Sequence, residues 1–337
     1  MDCLFRIVKT PFPTMQWSFQ LREIGGGDRH FELFVRRKDL SGGWDAPFFV
    51  LAQNHLGHRQ RFEIPPSSRG SAQLLISPVI DFNIRPERKF WKIPPHIFQT
   101  WKAGEKTPEM QAAISSFAHQ PGYTHICWDD QMCLNFILKE FGERHARVYQ
   151  VLVPGAFRAD FWRYCMLYRF GGVYSDAKAT LLRPLDEILR PQDELVVVRD
   201  IPRTCLLNGF IACRPQHPLM KIVIDMVLQR VEAREYGEDP LDITGPHIFG
   251  RAFCRWKGMP DDTLTLEMGI TSTMQILGRS EDKQHIISPE GENLLIKEYE
   301  TYYKNDVDVS LHYPRLWALK AIYGDQAPWN ISLAPGT

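Results

Sequence analysis

The chain has 337 residues, of which 44% are hydrophobic and 24% are charged, a composition typical of folded globular proteins. Lysine plus arginine and aspartate plus glutamate number 40 each, so the net charge is zero and gives no electrostatic case for a nucleic-acid partner. No apolar run reaches the roughly 20 residues of a membrane span, so we expect no integral membrane segment.

The chain start and the cysteines favour a cytoplasmic location. The first residues, MDCLFRIVKTPFP, lack the basic start and apolar core of a signal peptide. The seven cysteines are scattered and form no CxxC pair, which argues against a zinc site and fits a reducing compartment. We interpret the glycosylation sequon at Asn330 as coincidental, because no secretory signal accompanies it.

Residues 1–90 predict a small, mostly β N-terminal module. Short apolar or alternating runs are separated there by turn-forming glycine, serine and proline residues. The runs are residues 30–35, 47–52, 61–64 and 73–79. Trp17 and Trp44 are large enough to hold a sugar ring, but packing in the core of the module is the favoured interpretation.

From residue 91 to residue 337 the pattern changes to strands that alternate with helices, which predicts an α/β domain. The predicted strands are 97–101, 124–128, 173–175, 194–199 and 209–213. The predicted helices are 107–118, 131–141, 156–170 and 218–235. We therefore expect a Rossmann-type mixed sheet flanked by helices.

The stretch from residue 155 to residue 178 carries the clearest chemical signal. Asp160 and Arg163 are three residues apart on a predicted helix and share one face, either as an exposed pair or as part of a site. The apolar residues around them favour a site. A short strand then leads to Asp176, and ligands of open α/β sheets bind outside the carboxyl ends of strands. Asp176 is therefore expected to face a ligand or a metal ion.

Three ordered blocks carry a family resemblance. They are Ile93-Pro-Pro-His-Ile-Phe-Gln-Thr-Trp101, then Trp128-Asp-Asp130, then Ala156, Asp160, Arg163, Leu167, Gly171-Gly172, Tyr174 and Asp176. This order and spacing resemble glycosyltransferase family 32, the DXD-motif sugar transferases of the yeast mannosyltransferase and capsular polysaccharide type. The resemblance is close over residues 91–190 and loose beyond them. It implies a GT-A-like fold and sugar transfer from a UDP- or GDP-sugar to a hydroxyl of a glycan or glycolipid, with retention of configuration.

The resemblance also implies donor-binding roles. Trp101 would stack on the nucleotide base, with a core position as the alternative. Asp160 would hydrogen-bond the ribose or the donor sugar, and Arg163 would hold the sugar or a phosphate. The other implied donor-binding residues are Gln99, Thr100, Tyr174, Ser175, Asn208 and Trp317.

The metal motif is altered in this chain. Asp176 matches the first aspartate of the DXD motif, which in the family brings Mn²⁺ or Mg²⁺ to the diphosphate. Lys178 stands where the second aspartate is expected, so that the motif reads Asp-Ala-Lys. Either Lys178 itself pairs with the diphosphate, or Lys178 turns away and Asp176 and His312 hold a metal; we slightly favour the second. The expected catalytic residues are Asp176, Lys178 and Arg163.

The first predicted strand also departs from the family pattern, and other functions stay open. Phe98 replaces a family histidine, and His96 on the same strand face is expected to be structural. A glycoside hydrolase needs two facing carboxylates, whereas the adjacent Asp129 and Asp130 are expected to cap the next helix. The alternatives to an active transferase are a catalytically weak or inactive nucleotide-sugar-binding protein and a lectin or scaffold.

Overall fold

The structure is a computed structural model that describes most of the chain beyond residue 90. It describes the strand segments 17–24, 30–37, 49–53 and 59–63 and the longer stretches 91–201, 205–261, 266–306 and 309–324. The chain divides into two compact units, Met1–Ile84 and Arg85–Thr337.

The described part of the first unit consists of two antiparallel strand pairs. Strand β1 (Trp17–Ile24) pairs with β2 (His30–Arg37), and β3 (Phe49–Gln53) pairs with β4 (Arg59–Glu63). Three of the predicted runs fall on β2, β3 and β4, whereas β1 was not predicted. The run 73–79, Trp44 and the side chain of Trp17 lie outside the described residues.

The second unit contains a mixed sheet. Its strands are β5 (His96–Thr100), β6 (Thr124–Trp128), β7 (Gly172–Ser175), β8 (Thr180–Leu181), β9 (Leu195–Arg199), β10 (Leu206–Cys213), β11 (Gly269–Ile270), β12 (Met274–Arg279), β13 (His285–Ile287) and β14 (Asn293–Ile296). Within the described residues their order is β6-β5-β7-β10-β9-β12-β13-β14-β8, and β11 also pairs with β12. Strands β5, β6 and β7 run parallel, β10 is antiparallel to both of its neighbours, and β12 is parallel to β9.

Helices flank this sheet. They are α1 (Pro108–Ala118), α2 (Asp130–Phe141), α3 (Glu143–Val151), α4 (Gly155–Phe170), α5 (Leu185–Ile188), α6 (Pro218–Glu232), α7 (Pro246–Trp256), α8 (Tyr302–Asn305) and α9 (Tyr313–Ala318). Asp129 caps α2 by accepting a hydrogen bond from the amide of Met132 at 2.8 Å, which confirms its predicted role. None of the helices in the described stretches is both long and apolar enough to cross a membrane.

The core lies between the helices and the central strands. Strand β9 is buried along its whole length, as expected for a strand covered on both faces. On α4, Phe161 and Trp162 are fully buried, and burial of each such side chain contributes about 2–3 kcal/mol. The predicted α/β class, a mixed sheet flanked by helices, is confirmed.

The turn from α4 into β7 depends on glycine. Gly172 has a φ of +104°, and a Cβ atom at this position would lie 2.6 Å from the carbonyl oxygen of His96 on β5. Since that oxygen belongs to the backbone of a paired strand, it cannot move aside without disturbing the sheet. Glycine therefore allows β7 to approach β5 closely just before Asp176.

We expect Gly172→Ala to destabilise the protein by about 3 kcal/mol or more, because it adds a steric clash to the roughly 1–3 kcal/mol of backbone strain. Gly104→Ala is the matched control, since Gly104 has a φ of +108° but no atom within 4 Å of the added Cβ. Urea unfolding of both variants measures the difference. Equal losses of unfolding free energy would show that close packing against β5 contributes nothing.

Candidate functional site

Three elements converge at the end of β7. Asp176 directly follows this strand, as predicted, and its amide donates to the carbonyl oxygen of Gly209 on β10 at 2.9 Å. A Cβ atom on Gly209 would lie 2.9 Å from Oδ2 of Asp176, so glycine lets β10 pass directly beside the carboxylate. Helix α4 brings Asp160 and Arg163 to the same place.

Arg163 is the centre of a buried ion-pair network. Its guanidinium donates to the carbonyl oxygen of Asn208 at 2.6 Å and lies 3.0 Å from Oδ1 of Asp160 and 3.3 Å from Oδ1 of Asp176. The guanidinium also stacks 4.2 Å from the ring centre of Tyr174. With 5% of its side chain exposed, Arg163 is not part of an exposed helix pair, so that alternative is wrong.

Asp160 is held from several sides. Its Oδ1 accepts from Nδ2 of Asn208 at 2.9 Å, and its Oδ2 accepts from the hydroxyl of Thr244 at 2.8 Å. The same Asn208 amide also donates to Tyr164, whose hydroxyl donates to the Thr244 carbonyl oxygen. Burial raises the pKa of Asp160 to about 6, against the opposing influence of Arg163 and Thr244. Both carboxylate oxygens thus have protein partners, and the expected contact to the ribose or donor sugar stays a prediction.

The two oxygens of Asp176 have different surroundings. Oδ1 accepts from the hydroxyl of Tyr174 at 2.8 Å and faces Arg163. Oδ2 lies 4.0 Å from Nζ of Lys178, and 26% of the Asp176 side chain is exposed. Gln99 supports the backbone here, because its Nε2 donates to the carbonyl oxygen of Asp176 at 3.2 Å. The protein therefore fixes the carboxylate through one oxygen and leaves the other beside an ammonium group.

Several residues expected to bind the donor lie below the surface. The side chains of Gln99, Tyr174 and Ser175 are fully buried, and their described contacts support Asp176. Thr100 is half-buried and donates to the Trp128 carbonyl oxygen at 2.9 Å. Whether these residues act on the donor through Asp176 or by contact stays a prediction.

Lys178 connects Asp176 to the C-terminal part of the unit. Its Nζ lies 3.2 Å from Oε2 of Glu298 and 4.7 Å from the ring centre of Tyr302. Burial lowers the pKa of Lys178, but the nearby Asp176, Tyr302 and Glu298 outweigh burial and raise it above its usual range. Burial raises the pKa of Glu298, but Lys178 and Lys297 outweigh it and lower that pKa.

The remaining aromatic and histidine candidates lie in two different places. The ring of Trp101 is half-buried and lies 6.2 Å from that of Tyr302. Trp101 therefore lies beside the Lys178 cluster, which consists of Lys178, Asp176, Glu298 and Tyr302. His312 lies 6.2 Å from Tyr303 between ring centres, and burial together with Lys178 lowers its pKa. Trp317 instead donates its indole N–H to the carbonyl oxygen of Tyr236 at 2.6 Å, in contacts separate from the cluster.

These residues do not fit the expected Mn²⁺ or Mg²⁺ ion held by Asp176 and His312. Nowhere in the described stretches do three histidine, cysteine, aspartate or glutamate side chains group as metal ligands. One oxygen of Asp176 already serves Tyr174 and Arg163, and the other faces an ammonium. A divalent cation at Asp176 would meet the positive charge of Lys178 within a few ångströms.

Sequence reasoning missed part of the site. Glu298, Tyr302, Tyr303 and Tyr164 were not predicted as site residues, and Thr244 was expected only to open a helix whose N-terminus either faces an anion or is simply capped. The sequence around Tyr164 gave no sign of a site, since Tyr164 lies in an apolar helix. Residues 297–303, KEYETYY, did give one, because they form a charged and aromatic run directly after β14. His96 is buried, and burial lowers its pKa to about 4, which agrees with its predicted structural role.

Residues 107–195 match the family model described as "Glycosyltransferase sugar-binding region containing DXD motif". The matched region spans α1 to the first residue of β9 and includes Asp160, Arg163, Asp176 and Lys178.

Fungal mannosyltransferases are among the relatives of the chain. It is 23% identical over 198 residues to "Initiation-specific alpha-1,6-mannosyltransferase" of Candida albicans, and the aligned region covers 46% of this chain and 51% of the relative. It is 25% identical over 213 residues to "Inositol phosphoceramide mannosyltransferase 1" of Schizosaccharomyces pombe, covering 60% and 64%. It is 31% identical over 136 residues to "Mannosyl phosphorylinositol ceramide synthase CSH1" of Saccharomyces cerevisiae, covering 39% and 34%.

Among solved structures, "PaToxG Glycosyltransferase" superposes with a TM-score of 0.41 at 17% identity, over 49% of this chain and 70% of that one. The chain spans between about one third and two thirds of the length of the three fungal relatives. Residues 107–195 are therefore similar to the sugar-binding region of the DXD-motif glycosyltransferases, and the predicted resemblance to family 32 is confirmed.

Proposed function

We propose that the chain is a hexosyltransferase that moves a sugar from a nucleoside-diphosphate sugar to a hydroxyl group of a glycan or glycolipid. The observation that carries this proposal is the partly exposed carboxylate of Asp176. Its Oδ1 is held by the buried Arg163, and its Oδ2 lies 4.0 Å from the ammonium of Lys178. The family match supports it, because all three residues lie within the matched sugar-binding region.

The donor fits a surface that runs from Trp101 to Lys178. Tyr302 lies between them, 6.2 Å from the Trp101 ring and 4.7 Å from the Lys178 ammonium. An indole face accepts a nucleotide base by stacking, and an ammonium binds phosphate as a point charge. Base and diphosphate would therefore occupy neighbouring positions, with the sugar near Asp176. Either uracil or guanine suits the indole.

We further propose that the transfer retains the configuration at the anomeric carbon, as the family resemblance implies. The bond from that carbon to the acceptor oxygen forms on the face where its bond to the diphosphate breaks. The acceptor proton passes to a phosphate oxygen of the leaving group. This route needs positioned charges and no protein nucleophile. The ammonium of Lys178 offsets the negative charge that grows on the diphosphate.

The relatives suggest which substrates to test first. Two of them are named as mannosyltransferases, one of these for inositol phosphoceramide, and the third is named as a mannosyl phosphorylinositol ceramide synthase. Mannose linked to GDP or UDP is therefore the first donor to test, and oligomannose and inositol phosphoceramide are the first acceptors.

The structure weakens the glycoside hydrolase alternative. Asp129 caps α2, and Asp130 accepts from Tyr149 at 3.0 Å and from Arg158 at 3.2 Å. Both carboxylates therefore have structural partners and do not face each other across a cleft as a hydrolytic pair would. A nucleotide-sugar-binding protein without turnover is distinguished from the transferase by the first experiment below.

We expect Asp176→Asn to reduce release of nucleoside diphosphate from the donor by about 100-fold or more, because it removes a fixed charge at the reacting sugar. Asparagine keeps an oxygen for Tyr174 but removes one of the two charges that compensate Arg163, so the melting temperature should fall, and thermal melts establish that the variant is folded at the assay temperature. Asp225→Asn is the control, since Asp225 forms an exposed pair with Lys221 on α6. Turnover of Asp176→Asn within a few-fold of wild type would refute the proposed role of Asp176.

We expect Trp101→Leu to weaken UDP or GDP binding by about tenfold, because leucine fills space but offers no aromatic face. Trp101→Phe should keep most of the affinity, since a smaller aromatic ring remains. Titration calorimetry gives the affinities and thermal melts give the stability. A loss of stability without a loss of affinity in both variants would identify Trp101 as a core residue instead.

A further inference from the structure

Two carboxylates from distant parts of the chain converge on the ammonium of Lys178. Glu298, which follows β14, lies 3.2 Å from Nζ, and Asp176, which follows β7, lies 4.0 Å away. The ammonium also lies 4.7 Å from the ring centre of Tyr302, and 18% of the Lys178 side chain is exposed. Lys178 is therefore held at a defined position and does not extend freely into solvent.

The carboxylate oxygens that face away from Lys178 are already compensated. Oδ1 of Asp176 faces Arg163 at 3.3 Å, and Oε1 of Glu298 faces Lys297 at 3.1 Å. With Asp160 included, three carboxylates are matched by three cations, which leaves no negative excess to attract a divalent ion. The ammonium lies between Asp176 and Glu298. It thus occupies the position in which these two carboxylates could together bind a metal ion.

We infer that the ammonium of Lys178 is the resident cation of the donor site, so that the chain binds a nucleoside diphosphate without a divalent metal ion. The inference rests on the proposed function and replaces the expectation that Asp176 and His312 hold Mn²⁺ or Mg²⁺. An ammonium has three N–H donors, and Glu298 lies 3.2 Å from it as an ion-pair partner. Its donors can therefore serve Asp176 and a phosphate oxygen of the donor.

Glu298 and Tyr302 make this cation different from an ordinary surface lysine. A lysine on a mobile stem loses side-chain freedom when it binds phosphate, which weakens the interaction. In this site the contacts to Glu298 and Tyr302 restrict the stem before a ligand arrives. The positive charge is thus positioned in advance, as a metal ion would be by its ligands.

The test is titration calorimetry of the full chain with UDP and with GDP, each in EDTA and in Mn²⁺. We expect the wild-type affinity to agree within about threefold between the two conditions. Lys178→Met removes the charge but keeps an unbranched stem against Tyr302, and it should lose about tenfold or more in affinity in EDTA. Melting temperatures establish that each variant is folded.

A charge reversal and a matched control sharpen the test. Lys178→Asp restores the Asp-Ala-Asp spacing, so its affinity should be low in EDTA and rise about tenfold or more with Mn²⁺. Lys221→Met is the control, because Lys221 forms an exposed pair with Asp225 on α6 and is not among the three cations that balance the carboxylates here. It should bind UDP or GDP in EDTA within about threefold of wild type.

Three outcomes separate the two proposals. Wild-type binding that appears only with Mn²⁺ overturns the resident cation but leaves the transferase proposal intact. Lys178→Met binding with wild-type affinity in EDTA overturns the resident cation as well. If neither UDP nor GDP binds in either condition, the proposed function itself fails and the inference falls with it.

Discussion

The site depends on one buried guanidinium, that of Arg163. A charged group in the interior is costly unless carboxylates and hydrogen-bond acceptors surround it. Arg163 finds them in Asp160, Asp176 and the carbonyl oxygen of Asn208, and its face rests on Tyr174. Because these partners come from α4, β7 and β10, satisfying the guanidinium also fixes the three elements relative to one another.

The same arrangement determines what Asp176 presents to a ligand. A carboxylate at the end of a strand has rotational freedom unless one of its oxygens is bound. Tyr174 and Arg163 bind Oδ1, and the close passage of Gly209 leaves Oδ2 little room to turn inward. The contacts of Tyr174 and Arg163 thus hold the Asp176 carboxylate in one orientation. A charge that is fixed in advance stabilises a transition state more effectively than a mobile one. Removal of any of these supports is expected to act through the orientation of Asp176.

Much of this centre was predictable from local pattern. The helical spacing of α4 predicted that Asp160 and Arg163 share a face, and the short strand after Gly171-Gly172 predicted Asp176 at a strand end; the family resemblance implied that all three belong to one site. The pattern did not show which side chains of β7 face the interior, because a strand buried on both faces has no polar side to read. Tyr174 and Ser175 on β7 and Gln99 on β5 were expected to bind the donor; their side chains are buried, and their contact with a donor stays a prediction. Glu298 and Tyr302 were missed because they lie more than a hundred residues from Lys178, and strands β11–β14 that bring them there are short and carry weak signals.

Replacement of a carboxylate by Lys178 changes how the site handles charge. A metal ion is in equilibrium with its free pool, so any binding that requires it depends on the metal concentration. A covalently attached ammonium has no such dependence, but it supplies one positive charge where a divalent ion supplies two. Arg163 does not make up the difference, since Asp160 and Asp176 already neutralise it. Under the proposed function, more of the donor affinity would therefore have to come from other contacts, and stacking of the base on the ring of Trp101, beside Tyr302, is the one that the proposal offers.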